Sequence, residues 1–315
     1  MMQIKRKLFF VYIIVIMTGV IAIFSTYMAS KQWIRTVPVR IPDHSVQVVN
    51  GQSGQLYSTY AVLMDVDTGE MLMDTGGGER MYPASLTKIM TAIVAVEHTE
   101  DFAEQVVMDE NIFEDLYGED ASMAGFQPGE KVTLKDLLYG ILLPSGAECC
   151  LAYAGHISGT ENDFVNLMNQ KAKDLGMHHT HFSNTTGLHS EDHYTTAEDM
   201  ALLLQYSLSN EIFREAFTSQ TYDVRPTNIH PEGLTFRSTL FKGLEKVALD
   251  GEGMDADVIL GGKTGYTDEA GLCLASLASI HGKEYILVTA GADGSHQTDQ
   301  YNILDAVEVY QRLIF

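Results

Sequence analysis

The chain has 315 residues, 45% of them hydrophobic, enough for one large core or two modest ones and too much for a peptide-sized or coiled-coil protein. Forty-two acidic residues against 20 basic ones give a formal net charge of −22, and the first thirty residues hold Lys5, Arg6 and Lys7 but no acid. So acidic a surface repels phosphate backbones and anionic lipid head groups, which argues against nucleic-acid binding and against electrostatic attachment to a membrane.

The basic flank, residues 1–7, precedes Leu8 to Ala29, an uncharged run of 22 residues. As a helix it would span about 33 Å, enough to cross the hydrocarbon of a bilayer. The flank predicts a cytoplasmic start, with everything after Ser30 on the extracytoplasmic side. A cleaved signal peptide is the alternative; the apolar stretch is long for one, and Tyr27 fits its exit site badly. Residues 30–55, with Pro38, Pro42, Gly51 and Gly54, read as a linker, and Trp33 as an interfacial anchor.

Order is predicted from residue 56 to residue 315. Tyr57 to Val66 favours a strand, Asp67 to Glu70 a turn, and Met71 to Asp74 a returning strand. Leu86, Ile89, Met90, Ile93 and Val94 share one helical face, so a buried helix starts near Ser85. The stretch 100–215 reads as mostly helical, over 134–143, 147–157, 161–175 and 197–208. Residues 243–257, acidic and glycine-containing, read as an exposed loop. Strand patterns return over 271–279 and 284–291, and a helix over 298–313 closes the chain. Strands at both ends with helices between predict an α+β domain: one antiparallel sheet built from both chain ends, an inserted helical lobe, and a cleft where they meet. The three cysteines, Cys149, Cys150 and Cys273, read as small buried hydrophobes rather than a disulfide framework.

Three motifs carry chemistry. In Ser85-Leu86-Thr87-Lys88 the hydroxyl and the amine share a helical face, so Ser85 can act as nucleophile and Lys88 as its base. Alone this is weak, because 18 Ser and 12 Lys supply about 0.7 such pairs by chance. Lys263-Thr264-Gly265-Tyr266 before an apolar strand is rarer; it offers a cation, a hydroxyl and an open strand edge to a substrate carboxylate and backbone. Ser145-Gly146-Ala147 lies at a helix junction, where a plain N-cap is the alternative reading of Ser145.

With these motifs in this order the sequence resembles the serine D-alanyl-D-alanine carboxypeptidases, low-molecular-weight penicillin-binding proteins of the β-lactamase-like, transpeptidase-like fold. The similarity runs from about Tyr57 to Phe315 and includes Asp65 to Gly69, Phe182-Ser183-Asn184, Gly187-Leu188 and His193 to Asp199. It implies that Ser85 is acylated by the penultimate D-Ala carbonyl of a peptidoglycan stem peptide, with Lys88 as general base and Ser145 relaying protons. It further implies that Lys263 and Thr264 hold the terminal carboxylate, that N–H groups of Ser85 and Tyr266 bind the oxyanion, and that Arg237 lies near the carboxylate. No metal or cofactor is implied; β-lactams are the implied covalent inhibitors, and a monomer is the default.

One departure stands out. The family's middle motif is normally Ser-x-Asn, and Ala147 occupies the third position here. That keeps a second class open, a membrane-tethered β-lactam sensor or wall-binding protein that acylates without turnover. Two further alternatives are weaker: a zinc peptidase using His178, His179 and His181 lacks an identifiable carboxylate ligand, and a β-lactamase lacks an obvious deacylating Glu-x-x-x-Asn segment.

Overall fold

The computed structural model describes residues 56–116, 118, 121–249 and 258–314. The predicted anchor over 8–29 and the linker over 30–55 lie outside the described residues, among which no helix is long and apolar enough to cross a membrane.

Five antiparallel strands form the main sheet: β1 (Tyr60–Asp65), β2 (Met71–Thr75), and, from the far end of the chain, β7 (Ile259–Thr267), β8 (Gly271–Ile280) and β9 (Lys283–Ala292). Their order is β2-β1-β9-β8-β7, so the first strand pairs with the last and the sheet is assembled from both chain ends. Asp65 Oδ1 accepts the Thr68 N–H at 2.9 Å and closes the β1–β2 turn. Side-chain alternation buries both faces. Cys273, Ala275 and Leu277 face the inserted lobe, whereas Leu274, Ala278 and Ile280 face the opposite side.

The lobe holds α1 (Thr87–Glu97), α2 (Glu110–Leu116), α3 (Leu134–Leu142), α4 (Ala147–Ser158), α5 (Glu161–Leu175), α6 (Ala197–Leu208) and α7 (Glu211–Thr218). Four of these helices start where a side chain accepts an otherwise orphaned backbone N–H: Thr133, Thr160, Thr196 and Asn210. Helix α1 is buried from Thr87 to Val96 because α3 to α7 surround it. On the other face of the sheet, α8 (Thr239–Leu249) and α9 (Tyr301–Ile314) pack Leu240, Leu244, Ile303 and Tyr310 against Leu274 and Leu287.

One expectation is corrected. The stretch read as a loop from residue 243 is helical to Leu249: the acidic residues hid an amphipathic pattern whose Leu244 and Val247 are buried; 250–257 lie outside the described residues. The middle of the chain also contains two small strand pairs, β3 (Gln105–Val107) with β4 (Lys131–Thr133) and β5 (Thr221–Val224) with β6 (Leu234–Arg237). Three or four residues are too few for a period-two pattern to stand out.

The start of β1 is tied to α9 by one buried side chain. Asp305, 2% exposed, accepts the N–H groups of Tyr57 and Ser58, both at 2.8 Å. Asp305→Ala removes two charge-assisted hydrogen bonds, an expected loss of about 2–4 kcal/mol. In a domain of this size that lowers the melting temperature by roughly 5–15 °C; an unchanged calorimetric Tm would show that the tie contributes nothing.

Candidate active site

Pro83 leads into one 3-10 turn, Ala84–Leu86, that continues directly into α1. Ser85 therefore stands at the head of the most buried helix, and Lys88 follows one turn later. Lys88 Nζ is 3.0 Å from Ser85 Oγ. The lysine is 2% exposed, and burial pulls its pKa below the ordinary 10.5, partly opposed by Cys150 and Glu148. Its second partner is a main-chain group, the Thr186 carbonyl, which accepts from Nζ at 2.6 Å.

The segment carrying Thr186 is held from several sides. Thr91 Oγ1 donates to the Thr185 carbonyl at 2.7 Å, and Glu161 Oε1 accepts the Thr185 N–H and hydroxyl at 2.8 and 2.6 Å. Asn184 Oδ1 accepts the Gly187 N–H at 2.7 Å. Gly187 has φ +84°, and a Cβ there would lie 1.9 Å from the Ala84 carbonyl oxygen, so only glycine allows this loop against the serine turn. Ala84 itself is strained, at φ +45°.

A hydrogen-bond chain holds that strained turn. His193 Nδ1 accepts the Ser183 N–H at 3.0 Å, which leaves the proton of the neutral ring on Nε2. Nε2 is 2.7 Å from Thr87 Oγ1, which in turn donates to the Ala84 carbonyl at 2.8 Å. Burial keeps the ring neutral by pushing its pKa down to about 3. Both ring nitrogens of His193 are thus engaged by the protein itself.

Opposite Ser85 stands the Ser145 turn. Ser145 has φ +69° and is 3% exposed, and its Oγ accepts from Lys263 Nζ at 2.9 Å. Lys263 is fully buried in β7, also donates to the Thr264 carbonyl at 2.7 Å, and is held well below the usual lysine pKa by burial and by the nearby Lys88 charge. Thr264 Oγ1 donates to Thr239 Oγ1 at 2.7 Å at the start of α8. Gly265 brings the edge strand against the nucleophile turn, since a Cβ there would lie 3.0 Å from the Ser85 nitrogen.

Ala147, where an Asn was expected, lines the cleft beside Ser122. Its N–H donates to the Ser122 carbonyl at 2.8 Å. The adjacent Glu148 is buried; its Oε1 accepts the N–H groups of Ala124 and Gly125 at 2.7 and 2.9 Å, and burial raises its pKa. The turn carrying Ser122 is therefore clamped onto the start of α4.

The structure brings Ser85, Lys88, Ser145, Thr264, Gly265 and Tyr266 to one cleft and sets Lys263 directly behind Ser145. Arg237 is the exception. It ends β6 half-exposed and pairs with Glu245 at 2.5 Å, away from the cleft lining. The residue of that segment reaching the site is Thr239, two positions on. Thr87, Thr186 and His193 are further residues of the site: Thr87 lies inside the Ser-x-x-Lys motif and His193 inside the stretch 193–199, but a main-chain carbonyl such as that of Thr186 leaves no trace in a side-chain pattern. The three cysteines are buried and free, and burial raises the thiol pKa of each.

A profile of the D-alanyl-D-alanine carboxypeptidase family matches residues 46–294. The chain belongs to this family. It is 36% identical over 236 residues to D-alanyl-D-alanine carboxypeptidase DacF of Bacillus subtilis (strain 168), covering 74% of this chain and 57% of that protein. It is 28% identical to a D-alanyl-D-alanine carboxypeptidase of Streptomyces sp. (strain K15), over 71% of this chain and 77% of that one. The crystal structure of the Streptomyces K15 DD-transpeptidase superposes with a TM-score of 0.73 at 24% identity, covering 83% of this chain and 98% of the other, which establishes the shared fold. The chain spans less than two thirds of the length of DacF and of the Escherichia coli relatives DacC and DacD.

Within this family member, the His193–Thr87–Ala84 chain makes a separable prediction. Thr87→Val keeps the shape but leaves a buried N–H and a carbonyl unpaired, and should slow labelling of Ser85 by a serine-directed acylating agent about tenfold or more. Thr87→Ser, which restores the hydroxyl, should recover the rate. Equal rates in the valine variant would show that the chain does not position the nucleophile.

Proposed function

We propose that this protein is a membrane-anchored serine D-alanyl-D-alanine carboxypeptidase that removes the terminal D-Ala from peptidoglycan stem peptides, with residues 8–29 as its anchor and residues 56–315 as an extracytoplasmic catalytic domain. The observation that carries the reading is the 3.0 Å approach of Ser85 Oγ to a buried lysine whose pKa is lowered. Lys88 takes the hydroxyl proton as Ser85 Oγ bonds to the penultimate D-Ala carbonyl carbon, and a positioned base of this kind is worth about 10²–10⁴ in rate. The Ser85 N–H, beside the β7 edge, faces the developing oxyanion. The C–N bond then breaks, the leaving amine collects a proton through Ser145, and the terminal carboxylate rests on the Thr264 and Thr239 hydroxyls with the Lys263 charge behind Ser145. Water attacks the ester and Lys88 accepts its proton; the bond from Ser85 Oγ to the acyl carbon then breaks, Lys88 returns the proton to Ser85 Oγ, and the shortened peptide leaves. The same serine would be acylated by β-lactams.

Ala147 supports a second reading, a β-lactam sensor that acylates without turnover, because the hydrogen-bonding side chain expected beside Lys88 is missing. Incubating the full chain with diacetyl-Lys-D-Ala-D-Ala distinguishes them. The carboxypeptidase releases many equivalents of D-Ala, a release abolished by Ser85→Ala and indifferent to EDTA; a single equivalent or none, with Ser85 still labelled by penicillin, identifies the sensor.

The pH dependence follows from the lysine. The base must be unprotonated, so kcat/KM should rise with pH along a limb whose midpoint lies below 10.5, the ordinary lysine value. A limb centred at or above that value would remove Lys88 from the role.

A further inference from the structure

The cleft reverses the charge of the molecule that contains it. The chain carries 42 acids against 20 bases, yet the charged side chains lining the cleft among the described residues are Lys88, Lys242 and Lys246, with no Asp or Glu. Lys88 is accounted for by Ser85. Lys242 and Lys246 are exposed, four residues apart and so on one face of α8, and neither forms an ion pair among the described residues.

Among the described residues, three acids beside the cleft have other partners. Glu245, the one acid of α8, is held by Arg237 at 2.5 Å. Next to the lining residues Tyr266 and Thr267, Asp268 accepts the Tyr266 hydroxyl at 2.6 Å, and Glu269 lies 3.6 Å from His189. Arg237 therefore pairs with the one acid of the helix that carries both lysines.

The placement also has a scale. Helix α8 begins at Thr239, whose hydroxyl meets Thr264. At 1.5 Å per residue Lys242 stands about 4–5 Å and Lys246 about 10 Å further along the helix. An extended peptide advances about 3.3–3.6 Å per residue, so the reach from Thr239 to Lys246 covers roughly three residues of a bound chain and the two lysines stand about two residues apart. Resting on the carboxypeptidase reading, we propose that Lys242 and Lys246 form a cationic subsite that favours D-Ala-D-Ala peptides carrying a free carboxylate upstream of the scissile bond over their amidated counterparts. Two solvent-exposed charge contacts amount to a preference of about 3–10-fold, which added salt reduces.

The test separates this subsite from the reaction. The full chain carrying Ser85→Ala is titrated with acetyl-D-Glu-Lys(acetyl)-D-Ala-D-Ala and with the D-Gln analogue, at low and at high salt. The subsite predicts 3–10-fold tighter binding of the D-Glu peptide at low salt. That difference shrinks with salt and disappears in Lys242→Gln/Lys246→Gln, while the D-Gln peptide binds as before. Equal binding of the two peptides overturns the proposal. So does an equal loss of both in the double variant, which would assign the lysines to the terminal carboxylate, and so does the failure of either peptide to bind. D-Ala release by the protein with Ser85 intact is scored independently: its absence with the preference retained counts against the carboxypeptidase reading alone, and its presence with the preference lost counts against the subsite alone.

Discussion

A lysine amine enclosed in the core, 3.0 Å from a serine oxygen, is the constraint on which the rest of this molecule depends. A buried ammonium without partners is strongly disfavoured, so the fold has either to give it hydrogen bonds or to let it shed its proton. It does both. The Thr186 carbonyl meets Nζ, and the apolar enclosure of α1 by α3 to α7 lowers the pKa. A second lysine, Lys263, is buried close enough for the Lys88 charge to oppose its own, and Ser145 stands between Lys263 and the cleft. The arrangement is unfavourable for two ammonium ions and well suited to a lysine that must accept a proton.

Positioning this pair requires backbone that the chain would not adopt unaided. Ala84 and Ser145, at positive φ on opposite walls of the cleft, flank the reacting atoms, and each is held by tertiary contacts. Ala84 is held by Thr87 and His193 through its carbonyl and is approached closely by Gly187. Ser145 is held by Lys263 and precedes a helix whose first turn, through Ala147 and Glu148, clamps the Ser122 turn. The residues nearest the chemistry are thus fixed by residues distant in sequence, which keeps the nucleophile and its base in register.

Charge is organised on a larger scale. The acidic surface would repel an anionic peptide, and among the described residues the cleft interrupts it with two lysines on a helix whose one acid, Glu245, pairs with Arg237. Arg237 shows how a residue in the right segment can serve a different end: the chain turns at the end of β6, so its guanidinium meets Glu245 while Thr239 enters the site.

The sequence by itself determined the large elements and the reacting residues. Helices 134–142, 161–175 and 197–208 were legible because apolar periods and Thr starts leave a strong pattern, 147–158 by its period alone, and β8 and β9 because both sheet faces are apolar. Ser85 and Lys88 were legible because their contact is local, one turn of helix. Tertiary structure decided what depends on distant segments meeting: the Thr186 carbonyl on Lys88, His193 behind Thr87, Lys263 behind rather than within the cleft, and the direction of Arg237. A hydrogen bond between residues about a hundred positions apart leaves no periodicity to read, and a main-chain carbonyl has no side-chain identity at all. It exists as a feature of the site only once the sheet has closed from both ends of the chain and brought the lobe against it.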